Sequence, residues 1–107
     1  MKILFVLLVI FSAQSQAGNG WTGYGKITEL NQQPGTGADV VIVANLPNNP
    51  TTCTVTSNFL LDVSTDRDKR TFSLLLSAFM AGKEVRLYVT GGCPVWDTPK
   101  ITGVYIK

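Results

Sequence analysis

The 107-residue chain contains no histidine. That removes Ser-His and Cys-His catalytic pairs, imidazole metal ligands and an imidazole pH switch. Two cysteines, Cys53 and Cys93, are too few for a four-thiolate zinc site. Charge is sparse: charged residues make up 15% of the chain, and nine basic against seven acidic side chains leave +2. Nucleic-acid binders carry a strong basic patch, so no nucleic-acid partner is expected. Asn49-Pro50-Thr51 is not a glycosylation signal, because proline holds its middle position. No apolar run is long enough to span a bilayer.

What the chain does have is an export-type start. Met1-Lys2 is followed by nine unbroken apolar residues, Ile3 to Phe11, and then by SAQSQA. Small residues at Ser15 and Ala17 suit the −3 and −1 positions of a cleavage site. We expect a signal peptide over residues 1–17, cut after Ala17, and a secreted or periplasmic protein of one domain, residues 18–107. Export places Cys53 and Cys93 in an oxidising compartment, where two cysteines in a small domain form a disulfide. No C-x-x-C spacing supports a reactive thiol pair.

Periodicity divides the rest of the chain into elements. Trp21–Leu30 is rich in Thr and aromatics and is expected as a first strand, bent or bulged at Gly23 and Gly25. A turn centred on Pro34-Gly35 leads to a second strand, Asp39–Leu46. Val40 to Val43 is apolar on both faces, so that strand should be central or covered. Thr52–Val63 alternates, with Cys53, Val55, Ser57, Phe59, Leu61 and Val63 on one face, as a half-buried third strand. The period then changes. Phe72, Leu75, Leu76 and Phe79 form one helical stripe, with N-caps available at Ser64, Thr65 and Asp66 and a stop at Gly82. Glu84–Thr90 alternates again, with Val85, Leu87 and Val89 inward. Lys100–Ile106 is expected as a fifth strand, with Val104 and Ile106 inward and Tyr105 outward.

Three strands, one helix and two strands is the element order of the OB-fold, a five-stranded Greek-key barrel with its helix between strands three and four. Other small α+β folds share that order. In the OB topology the start of the third strand and the end of the fourth lie at the same barrel end, which permits a Cys53–Cys93 bridge. The expected class is therefore mainly β.

Gly20-Trp21-Thr22-Gly23, Lys26-Ile27-Thr28-Glu29-Leu30 and Gly82-Lys83-Glu84-Val85-Arg86-Leu87-Tyr88-Val89, with Trp96 beyond, resemble the secreted B subunits of the subtilase cytotoxin and typhoid toxin type. The resemblance covers nearly all of the expected mature domain. It implies an OB-fold, export from a Gram-negative bacterium, ring-shaped homopentamers and binding of cell-surface glycans, sialylated in the best-known members. It also implies a toxic A subunit as a partner, although such a domain can exist without one. The chain lacks the extended C-terminal segment and further cysteines of those subunits. Their sugar-contacting serine falls on Gly23 by ungapped count, beside the hydroxyl of Thr22.

Candidate chemistry is thin on the acidic side. Asp66 and Asp68 lack the glycine and terminal glutamate of a calcium loop and suit a helix start instead. Asp97 has no identifiable partner carboxylate for acid catalysis. No enzymatic activity, metal or cofactor is expected. Aromatic residues offer more, because ring faces stack on sugars and phenol or indole groups add a hydrogen bond. The expected glycan site comprises Thr22 and Tyr24 from the first strand with Tyr88, Trp96 and Asp97 from the region of the last two. Trp21 and Tyr105 are further exposed-position aromatics, and Arg86 and Lys83 can pair with a sialic-acid carboxylate. The loop expected over Gly92–Pro99, stiffened by two prolines and the disulfide, occupies a place where OB-folds bind ligands. The alternative function is a secreted or periplasmic interaction protein with no sugar pocket.

Overall fold

The computed structural model describes residues 18–32, 34 and 40–107. The expected leader, the turn residues 33 and 35–38, and the strand start at Asp39 lie outside the described residues. The chain is mainly β. Six strands, β1 (Gly20–Trp21), β2 (Gly25–Asn31), β3 (Val40–Ala44), β4 (Asn58–Leu61), β5 (Glu84–Val95) and β6 (Thr98–Ile106), form one sheet, with helix α1 (Asp66–Ala81) between β4 and β5. Pairing runs antiparallel from β5 to β2, β2 to β3 and β3 to β4, parallel from β4 to β6, and antiparallel from β6 back to β5.

The expected first strand is divided into β1 and β2, and both lie along β5. The break falls at Thr22-Gly23-Tyr24, where the chain folds against Pro47. Gly23 N donates to Pro47 O at 2.6 Å, and a Cβ on Gly23 would stand 2.6 Å from Pro47 Cγ. A side chain therefore has no room there. Thr22 carries the ladder across the gap. Its N–H donates to Leu87 O at 2.9 Å, and its hydroxyl accepts from Leu87 N at 3.0 Å in place of a carbonyl.

One face of the sheet and the helix enclose the main core. Ile27, Ile42, Ala44, Phe59, Leu61, Val85, Leu87, Val89 and Ile101 meet Leu75 and Ala78 of α1. Val85, Leu87 and Val89 are inward as the alternation requires. Val41 and Leu60 pack together on the opposite face, with Val43 and Val95 against them. This explains the two-sided apolar character of β3.

Four expectations are corrected. The third strand is confined to Asn58–Leu61, because Cys53 is drawn to the β5–β6 hairpin by a disulfide and residues 53–55 bond to that hairpin instead of extending a ladder. Leu60, which alternation places on the face opposite Phe59 and Leu61, is buried in the second cluster. The helical stripe is also rotated: Thr71, Leu75 and Ala78 are buried, Phe72 and Phe79 flank them, and Leu76 is exposed. Thr71 is buried with its hydroxyl satisfied, donating to Arg67 O at 3.0 Å. Of the N-cap candidates, Thr65 serves, with its side chain accepting from Asp68 N at 3.1 Å. Gly82 closes the helix at φ 66°. Finally, Ile106 is exposed, whereas Val104 packs against the core.

Candidate ligand-binding surface

The inward residues of β5 push Arg86 and Tyr88 to its other face, and the hairpin register sets Arg86 opposite Tyr105 and Tyr88 opposite Gly103. β1 lies on the far side of β5 and sets Trp21 opposite Tyr88. Trp21 therefore stands between two tyrosines. Its ring stacks on Tyr105 at 4.6 Å between centroids and meets Tyr88 edge-on at 5.3 Å. Gly103 lies beneath the pair: a Cβ there would be in ordinary contact with Trp21 Cη2, at 3.5 Å, and closer to Tyr88 Cβ, at 3.3 Å.

Arg86 sits within these rings. Its guanidinium carbon is 4.6 Å from the Tyr105 centroid, 4.8 Å from Trp21 and 5.5 Å from Tyr24. The Lys107 ammonium lies 5.0 Å from the Tyr24 centroid. Among the described residues, neither cation forms a salt bridge, and the buried Nε–H of Arg86 has no hydrogen-bond acceptor. The result is an aromatic surface with two cations that form no salt bridge among the described residues. Tyr105, 51% exposed, is its most open ring.

The five expected site residues divide between three roles. Tyr24 and Tyr88 belong to this surface. Thr22 is only 3% exposed; its hydroxyl donates to Gly23 O at 3.0 Å and accepts from Leu87 N, so it joins β1 to β5 from within the fold. Trp96 and Asp97 lie elsewhere, at the tip of the β5–β6 hairpin. The loop expected over Gly92–Pro99 is instead a continuation of both strands into a two-residue turn, with Val95 opposite Thr98. Trp96 and Asp97 have φ of 52° and 54°, left-handed values that turns of this kind require. Trp96 is 53% exposed. The Asp97 carboxylate accepts from Thr54 N at 2.9 Å and from the Thr54 hydroxyl, and Asp97 O accepts from Val55 N at 3.2 Å. Asp97 thus anchors the tip.

The Cys53–Cys93 disulfide forms, with Cα atoms 5.8 Å apart, and ties the same tip to the segment before β4. Cys53, Cys93 and Asp97 cluster closely enough to suggest a metal site. Both sulfurs are consumed by the bond, which leaves one carboxylate and no ligand set. No helix among the described residues is long and apolar enough to cross a membrane.

Trp21, Tyr105, Arg86 and Lys107 complete a surface that residue-type reasoning listed only in part. Outward alternation in β5 and β6 signals Arg86 and Tyr105. Nothing in the spacing signals that they face each other. Comparison with family models, with curated proteins and with solved structures finds no match.

Proposed function

We propose that this chain is a secreted, glycan-binding protein of the toxin B-subunit kind, built on an OB-fold barrel, with its sugar site on the Trp21–Tyr24–Tyr88–Tyr105 surface. The observation that carries the reading is the juxtaposition of these four rings with Arg86 and Lys107, two cations that form no salt bridge among the described residues. Ring faces bind the apolar faces of sugars, and the cations suit a carboxylate such as that of a sialylated glycan. The strand pairing supports the barrel: β2, β3, β4, β6 and β5 pair in sequence and return to β2, with α1 following the third of the five in chain order. In this scheme β1 is a short extension of the first barrel strand. Weak single-site affinity would be raised by multivalency in a homo-oligomer, a pentamer by the resemblance, with or without a toxic A subunit.

The test is a glycan-array screen of the full chain exported through a host periplasm, followed by variants against the glycans retained. Tyr105→Ala and Tyr24→Ala should each weaken capture by about tenfold or more, the loss of one stacked aromatic contact, while leaving the melting temperature nearly unchanged. Arg86→Gln should remove any preference for acidic over neutral sugars. Capture that survives both tyrosine substitutions would place the site elsewhere.

A further inference from the structure

The β5–β6 tip carries a group of side chains that the sugar surface does not use. Cys53 Sγ, Cys93 Sγ and a carboxylate oxygen of Asp97 all lie within 4.8 Å of one another. They come from two places in the chain, the segment before β4 and the β5–β6 hairpin. While the disulfide is intact, both sulfurs are spent and only the carboxylate can bind a cation. Reduction changes the count. Two electrons and two protons, supplied by a dithiol that is itself oxidised to a disulfide, convert the bond to two thiols. Deprotonated, those thiols and Asp97 put three negative groups together, and a cation relieves their mutual repulsion.

The fold keeps the three residues together once the bond is gone. Thr54, next to Cys53, donates its N–H to Asp97 Oδ2 at 2.9 Å and its hydroxyl to the same oxygen. Val55 N donates to Asp97 O at 3.2 Å. Cys93 is held by the hairpin, between the Thr90–Lys100 and Val95–Thr98 pairs. None of these contacts involves sulfur. Zinc bonds of about 2.3 Å to sulfur and about 2.1 Å to oxygen separate tetrahedral ligand atoms by about 3.6–3.8 Å. That spacing falls inside the span of this cluster, and the cysteine Cα atoms stand 5.8 Å apart.

The surroundings also suit an ion. Both Thr54 bonds go to Oδ2, which leaves Oδ1 for a metal, and they orient the carboxylate as outer partners orient metal ligands. Cys53 is buried, Cys93 half-buried and Asp97 exposed, so an ion reaches the sulfurs from the solvent side. The two-residue turn accounts for the left-handed φ of Asp97, but Cys93 lies outside that turn and holds φ 48° as well. Such strained backbone concentrates at ligand clamps and switch regions.

We propose that the reduced chain binds one zinc ion through the Cys53 and Cys93 thiolates and the Asp97 carboxylate, with water in the fourth position. Zn²⁺ displaces both thiol protons as it binds, and the ion replaces the disulfide as the crosslink between the hairpin and the segment before β4. Two thiolates and a carboxylate suit Zn²⁺ over Ca²⁺ or Mg²⁺, which take oxygen ligands. Oxidising surroundings hold the cluster as a disulfide, and reducing ones open it to zinc. The site shares no residue with the sugar surface, so either proposal stands without the other.

Zinc titration of the full chain, reduced with dithiothreitol and freed of it by anaerobic gel filtration, tests the site. The reduced chain should take up one equivalent of zinc and release protons as it does so. Cobalt in place of zinc should give the visible spectrum of a tetrahedral thiolate site. The oxidised chain should take up no zinc at the same concentrations. Asp97→Asn keeps an acceptor for Thr54 and tolerates the left-handed turn. It should weaken binding by about tenfold or more, since even outer partners of a metal are worth that much. Circular dichroism of both reduced chains, before and after zinc, separates loss of a ligand from loss of the fold. If the reduced wild type has lost its native spectrum, zinc should restore it, because binding and folding are then one step. Absence of zinc uptake, equal uptake by the oxidised chain, wild-type affinity in Asp97→Asn, or an unfolded reduced chain that zinc leaves unfolded would overturn the proposal.

Discussion

Replacing Cys53 and Cys93 together by alanine should cost this domain about 4 kcal/mol. The bond closes a sequence separation of 40 residues, and the chain-entropy account assigns about 4 kcal/mol to a loop of that length. Small domains hold about 5–15 kcal/mol in total, so the variant folds with little margin. The native contacts around the bond argue that the loss falls mainly on the unfolded state. Without the sulfurs, Asp97 still accepts from Thr54 N, and Val55 N still donates to Asp97 O, so the tip retains its attachment. Urea unfolding followed by circular dichroism and fluorescence separates the alternatives. An unfolded chain freed of its crosslink exposes more surface, so the denaturant slope should rise as the stability falls. The melting temperature should drop by on the order of 20 °C. A loss below about 1 kcal/mol, against the model value, would refute the loop-entropy reasoning. A large loss at unchanged slope would show instead that the bond holds the native tip in place.

Two further outcomes follow from close contacts. Thr22→Val should destabilise by about 1–3 kcal/mol, because it leaves the buried Leu87 N–H without its acceptor; Thr22→Ser should recover most of that in thermal melts. Gly25→Ala should cost about 1–3 kcal/mol by overpacking, since its Cβ would meet Asn45 O and stand 2.9 Å from Leu46 Cδ2, and an unchanged melt would show that the 45–46 segment yields.

The elements that the sequence makes legible are those whose burial is one-sided. Val85, Leu87 and Val89 alternate against a single core, and the cap at Thr65 and stop at Gly82 rest on local chemistry alone. Legibility fails where a strand has two covered faces or where a crosslink overrides the ladder. Leu60 breaks its alternation because Val41 covers the second face. Residues 53–57 alternate like a strand, yet Cys53 is bound to Cys93. The site was harder still. Between Thr90–Lys100 and Val95–Thr98, four residues of β5, Gly91 to Pro94, stand opposite one of β6, Pro99. A second shift follows at Tyr88/Val89. Counting back from the turn therefore does not pair Arg86 with Tyr105, and the aromatic surface depends on that pairing. The same bulge turns Cys93 to φ 48° and brings its sulfur to Cys53.

The setting of Arg86 combines a gain and a cost for folding. Its guanidinium faces three rings, and cation–π contacts contribute about 0.5–2 kcal/mol each according to their exposure. Against that stands a buried Nε–H without an acceptor, a cost of about 1–3 kcal/mol. An unbranched apolar side chain such as methionine would keep much of the ring packing and carry no donor to satisfy. The three cation–π contacts together offset the cost of that donor. What the arginine alone retains is a positive charge at an open aromatic surface, with a second cation 5.0 Å from the Tyr24 ring. An oxyanion on a bound ligand would give those cations the partner that the described residues do not supply. That positive charge, which forms no salt bridge among the described residues, is what ties the proposed acidic-sugar recognition to Arg86 rather than to the rings by themselves.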